Sequence, residues 1–154
     1  CKKHGILLIN DAAASIGTAA ATPGDIIIGS FGKAKPLALE EGGFIAGIKQ
    51  QHEEPALDYT TLHTLLDTLT SRTKELCSLA RKLKEHLKDD DIVHQGHDGF
   101  NVIVPYGDEG QREMLIKNAR ALIPDLEYTL CPRYIRIGRQ AVSFEVKRLF
   151  TKNV

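Results

Sequence analysis

Three short and continuously apolar runs lie in the first third of the chain, at residues 5–9, 25–29 and 44–48. Strands that helices cover on both faces have this pattern, whereas strands with one wet face alternate apolar and polar residues. We therefore expect an α/β fold in which the first two runs pair as parallel strands. In an open parallel sheet, ligands bind beyond the carboxyl ends of the strands. The residues that follow each run are thus the first candidates for a functional site.

After these runs, the apolar residues recur with the longer spacing of a helix. From Leu57 to about Leu87, apolar residues recur at spacings of three and four, which is the stripe of an amphipathic helix. Such a helix, unbroken, would be about 45 Å long and longer than most globular helices, so we expect a bend near residues 68–71. The polar stretch at 49–55 is the best domain boundary. The leucines within the stripe are Leu62, Leu65, Leu66, Leu69, Leu76, Leu79 and Leu83.

The remaining residues predict a small α+β module. A strand over 99–105 ends at a proline, and a helix over 109–121 follows it. Two further strands are expected at 126–130 and 134–137. A closing helix that begins with Ser143 as its cap completes the module.

Three side chains of different chemistry follow the first two apolar runs. Asp11 comes after the first run, and Ser30 and Lys35 come after the second. Pyridoxal phosphate needs a lysine for its Schiff base, a carboxylate that keeps the pyridine nitrogen protonated, and donors for its phosphate. Lys35, Asp11 and Ser30 suit these three roles. Each also has an ordinary interpretation, because a strand-end Asp caps the next helix, a Ser ends a strand, and a loop Lys is solvated.

The segment around these residues resembles the active-site segment of the DegT/DnrJ/EryC1/StrS aminotransferase family. The resemblance rests on four elements of the sequence, at residues 9–17, 24–25, 30–35 and 41–43. It implies a pyridoxal phosphate enzyme of the aspartate aminotransferase fold, active as a homodimer. It also implies that Asp11 pairs with the pyridine nitrogen, Ser30 binds the phosphate, and Lys35 rather than Lys33 forms the Schiff base.

The chain departs from that family's pattern at two positions that normally lie close to the cofactor ring. The family usually has Gln where this chain has Ala14, and often His where it has Ile16. The loss of the Gln removes a hydrogen bond to the ring. Pro36 and Glu40 likewise replace the family's usual Asn and Gly.

The resemblance also implies an organisation for the whole chain, namely the C-terminal portion of a transferase-like fold. Residues 1–52 would be the end of the large cofactor domain, with a few strands of its sheet and the lysine. Residues 53–90 would form the long connecting helix, and 91–154 the small α+β C-terminal domain. The chain opens at Cys1 without an initial Met and enters a buried-type strand almost directly, so we expect a part of a longer protein.

An arginine of the small domain binds the substrate carboxylate in aspartate aminotransferase-like enzymes. Arg136 is the best candidate for that role here, because a guanidinium meets both oxygens of a carboxylate. The alternative is a surface residue on a half-exposed strand, since polar and apolar residues alternate there in any case. This alternative is favoured.

The amino-acid composition disfavours several classes of binding partner. Lysine plus arginine and aspartate plus glutamate number 20 each, so no basic footprint for nucleic acid or for an anionic membrane exists. The three cysteines, Cys1, Cys77 and Cys131, are odd in number and widely spaced. This pattern disfavours a disulfide framework or a zinc site and predicts a reducing cytoplasm. No apolar run approaches the roughly 20 residues that span a bilayer.

Two classes of function remain open at this stage. The first is a pyridoxal phosphate-dependent aminotransferase that moves an amino group to or from a small amino acid or amino-sugar substrate. The second is a non-catalytic fragment or diverged homologue, which acts as an association module without a complete cofactor site. We expect no metal in either case.

Overall fold

The computed structural model describes residues 2–22, 24–47, 57–132 and 137–152. The chain divides into two compact units, Cys1–Thr73 and Lys74–Val154. The first unit contains a short 3₁₀ helix and one sheet, and the second contains another sheet with its helices. The elements are the 3₁₀ helix Lys2–His4, β1 Ile9–Asp11, β2 Ile26–Ser30, β3 Gly43–Ala46, α1 Tyr59–His86, β4 Asn101–Pro105, α2 Glu109–Leu122, β5 Tyr128–Cys131, β6 Ala141–Glu145 and the 3₁₀ helix Val146–Lys152.

The sheet of the first unit has the order β1-β2-β3. β1 and β2 are parallel, with Ile9 opposite Ile26, as the two apolar runs predict. β3 is antiparallel to β2 and places Gly43 opposite Ser30. The sequence is thus a mixed α/β chain, and this coarse part of the predicted fold class is confirmed.

One face of this sheet packs against a hydrophobic cluster, whereas the other is open in the described residues. Ile27 and Phe44 pack against the buried cluster. Ile9 and Ile45 are 55% and 60% exposed. The expectation of helices on both faces is therefore met on one face of the described sheet. The cluster consists of Ala12, Ile16, Phe31 and Leu37, with Leu62, Leu65 and Leu69 of α1 among the residues packed on it.

Gly29 allows the ring of Phe44 to lie flat against the strand. The two residues are directly opposite each other in the β2/β3 pair, and a Cβ on Gly29 would lie 2.2 Å from Cε1 of the ring. The ring of Phe44 also packs on Phe31, with centroids 6.0 Å apart. Glycine is therefore required at this position by packing.

We expect Gly29→Ala to lower the free energy of unfolding by about 2 kcal/mol, because the added methyl group displaces an aromatic ring. Urea unfolding followed by circular dichroism measures the change. Gly99→Ala is the control, since no atom lies within 4 Å of a Cβ at Gly99. Equal losses in the two variants would contradict the packing role.

The leucine stripe forms α1, a single helix of 28 residues that continues without interruption through residues 68–71. The hydroxyl of Thr68 donates to the carbonyls of Thr64 and Leu65, and that of Ser71 donates to the carbonyl of Thr68. These hydroxyls bond to carbonyls of the preceding turn, as Ser and Thr side chains inside helices do. No helix in the described ranges is long and apolar enough to cross a membrane.

The sheet of the second unit has β6 at its centre, with the order β4-β6-β5. β6 is antiparallel to both neighbours, so β4 and β5 run in the same direction and α2 connects them. Asp108 caps α2 by accepting from the backbone N–H of Gln111 at 2.8 Å. The strand predicted over 99–105 and the helix predicted over 109–121 correspond to β4 and α2.

The start predicted for the closing helix at Ser143 is wrong, because residues 141–145 form β6 and the 3₁₀ helix Val146–Lys152 begins only after them. Val142 and Phe144 are 0% and 1% exposed on the core face of the sheet, while Ser143 and Glu145 lie on the opposite face. That spacing of two is the period of a strand. Of the strand predicted at 134–137, residues 134–136 lie outside the described residues.

Candidate functional site

The carboxyl edge of the first sheet brings together the residues that the sequence singled out. Asp11 is the last residue of β1 and Ser30 the last of β2. Because these strands are parallel, both residues lie at the same edge. Lys35 lies in the turn that follows β2, where its backbone N–H donates to the carbonyl of Gly32 at 3.0 Å.

Asp11 and Ser30 also share a face of the sheet. Asp11 is opposite Ile28, and directly opposite residues place their side chains on one face. Ser30 is two residues beyond Ile28 and therefore projects to the same side. This is the open face that carries Ile9 and Ile45.

Local hydrogen bonds hold the carboxylate and the hydroxyl at this edge. Oδ1 of Asp11 accepts from the backbone N–H of Ala13 at 3.0 Å, as a residue that caps a turn does. Oγ of Ser30 accepts from the backbone N–H of Gly32 at 3.2 Å. Among the described residues, no hydrogen bond reaches the second carboxylate oxygen of Asp11. Asp11 thus combines the ordinary turn-capping role with an oxygen that is available to a ligand.

Lys35 is half-buried and close to Ser30. Measured from the position that a Cβ would take on Gly32, Oγ of Ser30 lies at 3.4 Å and Cγ of Lys35 at 3.9 Å. Leu37 is 2% exposed in the hydrophobic cluster and anchors the turn that carries the lysine. Lys33, in contrast, is exposed. Of the two lysines in this turn, Lys35 is thus the partly buried one and Lys33 the exposed one.

These groups fit the chemical demands of pyridoxal phosphate in part. The edge offers a carboxylate, a hydroxyl next to a backbone N–H, and a half-buried amine, all within the first unit. The two departures noted in the sequence lie elsewhere. Ile16 is 9% exposed in the hydrophobic cluster, and Ala14 is exposed. Ile16 therefore packs in the core instead of against a ligand.

Arg136, the candidate for a substrate carboxylate, lies outside the described residues. The segment before it lines a groove of about 600 Å³, formed by Tyr128 to Pro132 along β5. Asp11, Ser30 and Lys35 take no part in that groove. The sequence-predicted site and this groove are thus formed by different residues.

A polar network that the sequence analysis missed covers the outer face of the second sheet. Glu145 is 5% exposed, and its Oε2 lies 3.2 Å from Nζ of Lys147 and 3.1 Å from Nε of Arg148. Its Oε1 accepts from the hydroxyl of Thr129 at 2.9 Å. Lys147 also donates to Oδ1 of Asn101 at 2.9 Å. The alternation of apolar and polar residues along β6 was the signal that a strand face carries this network.

Burial opposes ionisation of Glu145, but its bonded neighbours outweigh burial. Lys147, Thr129 and Arg148 together hold the pKa of the Glu145 carboxyl below its ordinary value. The network therefore contains a stable carboxylate and two cations. With Glu127, which pairs with Arg148, the charges balance, and removal of one partner would leave a buried charge uncompensated.

Lys84 is a second buried charge with a structural role. It is 9% exposed, and its ammonium donates to the carbonyls of His94, Gln95 and His97 at 2.7 to 3.1 Å. Burial lowers the pKa of Lys84, while the charge of Asp98 opposes that shift. Three donors bound to three carbonyls fix the turn at 94–97. Within the described ranges, no group of three or more His, Cys, Asp or Glu residues is arranged to hold a metal ion.

A comparison with family models gives one match, described as the MJ1341 family C-terminal domain, over residues 70–154. Neither the curated proteins nor the solved structures contain a match to this chain. The matching family is not the DegT/DnrJ/EryC1/StrS aminotransferase family, so the membership that the sequence resemblance implied is wrong. The structure also departs from that resemblance at Ile16, which packs in the hydrophobic cluster instead of next to a cofactor ring. Asp11, Ser30 and Lys35 precede the matched region.

Proposed function

The chain belongs to the MJ1341 family, whose C-terminal domain it carries at residues 70–154, and from the geometry of the preceding residues we propose a pyridoxal phosphate-dependent enzyme. The proposed reaction moves an amino group to or from an amino acid or amino sugar. Membership of the family does not itself carry this proposal. The support comes from the carboxyl edge of the first sheet.

One observation carries the proposal, namely the meeting of three suitable groups at one edge. β1 and β2 are parallel, and Asp11 and Ser30 end them on the same face. Lys35 follows in the turn after β2, where its side chain is half-buried. Ligands of parallel sheets occupy this edge, beyond the carboxyl ends of the strands.

Each residue has a role that its chemistry permits. The carboxylate of Asp11 accepts a hydrogen bond from the protonated ring nitrogen, because no described residue bonds to its second oxygen. The hydroxyl of Ser30, whose Oγ accepts from the N–H of Gly32, donates to a phosphate oxygen. The amine of Lys35 would hold the cofactor through its aldehyde, with loss of water, and once displaced by the substrate amine it would be free to move a proton at the substrate carbon. The cofactor, when bound, supplies an electron sink for the substrate carbon.

Chemical trapping tests the proposal. The protein is incubated with pyridoxal phosphate, reduced with borohydride and digested, and the modified lysines are identified by mass spectrometry. We expect label at Lys35 well above that at Lys33, because Lys33 is exposed whereas Lys35 is the half-buried lysine of the turn that follows Ser30. Label spread evenly over exposed lysines would contradict the proposal.

A second candidate function is an association module without catalysis. Four consecutive apolar residues, Ile6 to Ile9, are between 46% and 60% exposed ahead of and within β1. Exposed apolar segments at a strand edge recruit other chains. The trapping experiment separates the two functions, since an association module gives no preference for Lys35. Sedimentation of the same sample then reports whether the chains associate.

A further inference from the structure

Glu40 has a backbone conformation that glycine adopts more easily. Its φ is 74°, in the left-handed region, where the Cβ of an L-residue is crowded by the carbonyl oxygen. Glutamate lacks the short side chain that lets Asn or Asp occupy this region by local hydrogen bonding. The position is therefore strained by the presence of this side chain.

The described structure does not make use of the Glu40 side chain. The backbone N–H of Glu40 donates to the carbonyl of Phe31 at 2.8 Å, and a glycine would make the same bond. The side chain is exposed. Its carboxylate makes no hydrogen bond or ion pair with any residue in the described part of the chain. The strain at this position is thus not offset by a contact in the fold.

Glu40 lies at the edge that carries the proposed site. The backbone N–H of Phe31, the residue after Ser30, donates to the carbonyl of Gly42 at 3.1 Å. Ser30 and Gly43 are paired across β2 and β3. These bonds hold the loop around Glu40 next to the residues that end β2.

We infer that Glu40 is a substrate-positioning residue that binds a cationic group of the substrate, separate from the amine that reacts. The inference rests on the proposed function and adds a substrate class to it, namely amines with a second positive charge. A carboxylate with no internal partner forms strong, charge-assisted hydrogen bonds with an ammonium group. A glycine at this position would relieve the strain but could not bind an ammonium group, whereas a glutamate can.

The first measurement needs no cofactor. We expect Glu40→Gly to raise the equilibrium constant for folding by roughly fivefold, because glycine enters the left-handed region without a Cβ penalty. Glu41→Gly is the matched control, an exposed neighbour that lacks a positive φ. Urea unfolding measures both. If Glu40→Gly is no more stable than Glu41→Gly, the backbone is not strained by the side chain and the inference is overturned.

The second measurement uses two amino acids with equal carbon chains as probes. L-Ornithine carries a terminal ammonium group, and L-norvaline ends in a methyl group. Each is titrated into protein loaded with pyridoxal phosphate, and the change in cofactor absorbance gives a half-saturating concentration. We expect that concentration to be roughly tenfold lower for ornithine, as one charge-assisted hydrogen bond provides.

Two substitutions test whether Glu40 causes the preference for ornithine over norvaline. Glu40→Gln keeps the size of the side chain and removes its charge, and we expect it to abolish the preference for ornithine while the protein still takes up the cofactor. Glu41→Gln is expected to retain the preference. If the cofactor binds but Glu40→Gln prefers ornithine as the wild type does, this inference alone fails. If the wild type does not take up the cofactor, the proposed function fails and this inference fails with it.

Discussion

Lys35→Ala is expected to eliminate the borohydride-stable label and the visible absorbance of bound pyridoxal phosphate. Lys35 is the half-buried lysine of the turn after β2, and we propose that its amine forms the Schiff base. Removal of the amine leaves the aldehyde without a covalent partner there. The expected loss is essentially complete, and it is the largest effect that we predict for this protein.

Lys33→Ala is the matched control, because it removes an amine two residues away in the same turn. We expect it to leave the label and the absorbance unchanged. Circular dichroism of both variants establishes that the sheet is intact. Label that persists in Lys35→Ala, or that is lost equally in Lys33→Ala, would show that the cofactor reacts with exposed amines in general. The catalytic proposal would then be wrong.

Glu145→Ala is expected to lower the free energy of unfolding by about 3 kcal/mol, because it removes the carboxylate from a buried ionic network. Glu145 is 5% exposed and lies within 3.2 Å of nitrogens from both Lys147 and Arg148. Its removal leaves those two cations without their shared counter-charge on the outer face of β6. Urea unfolding monitored by circular dichroism measures the loss.

Glu127→Ala is the control for this prediction. Glu127 binds Arg148 in the same network, but its side chain is 44% exposed, so water screens the interaction. We expect a loss below about 1 kcal/mol. A loss for Glu145→Ala as small as that for Glu127→Ala would contradict the view that burial gives the central carboxylate its importance.

The network also predicts how stability depends on pH. The pKa of Glu145 in the folded protein lies below the ordinary value of 4.5, so the folded state binds its proton less readily than the unfolded state does. The contribution is fully present above the ordinary pKa and is lost as the pH falls through the lower folded value. We therefore expect the wild type to lose more stability than Glu145→Ala between about pH 5 and pH 3.

The first sheet was predictable because its signals are local. Continuous apolar runs indicated buried strands, and parallel pairing placed Asp11 and Ser30 at one edge. The open face of that sheet was not predictable. An exposed Ile45 and a partly buried Ile27 look alike in a sequence, because tertiary packing decides what covers each face of the sheet.

β6 shows why the second sheet was harder to predict. Ser143 ahead of Phe144 looked like a helix cap, and the alternation over 141–145 was too short to overrule it. The buried charge of Glu145 added to the difficulty, because a strand residue of that type is normally expected in water. The network that neutralises it involves Asn101 and Thr129, which are distant in sequence.

The sequence marked Glu40 only as a glutamate at a position where the resembled aminotransferase family usually has Gly. Its significance lies in a φ of 74° and in the absence of a partner among the described residues, and both are properties of the backbone path. The motif around Lys35, in turn, suggested a family to which the chain does not belong. Short motifs indicate which groups are close together, whereas membership of a family depends on the whole chain.

The central position of β6 has a consequence for synthesis of the protein. Both β4 and β5 are hydrogen-bonded to β6, which follows them in the chain. While a ribosome is still extending the polypeptide, Val102 and Val104 emerge well before Val142 and Phe144, the residues against which they pair. In the nascent second unit, the apolar strands β4 and β5 are therefore unpaired at first. The sheet forms only after residues 141–145 have left the exit tunnel.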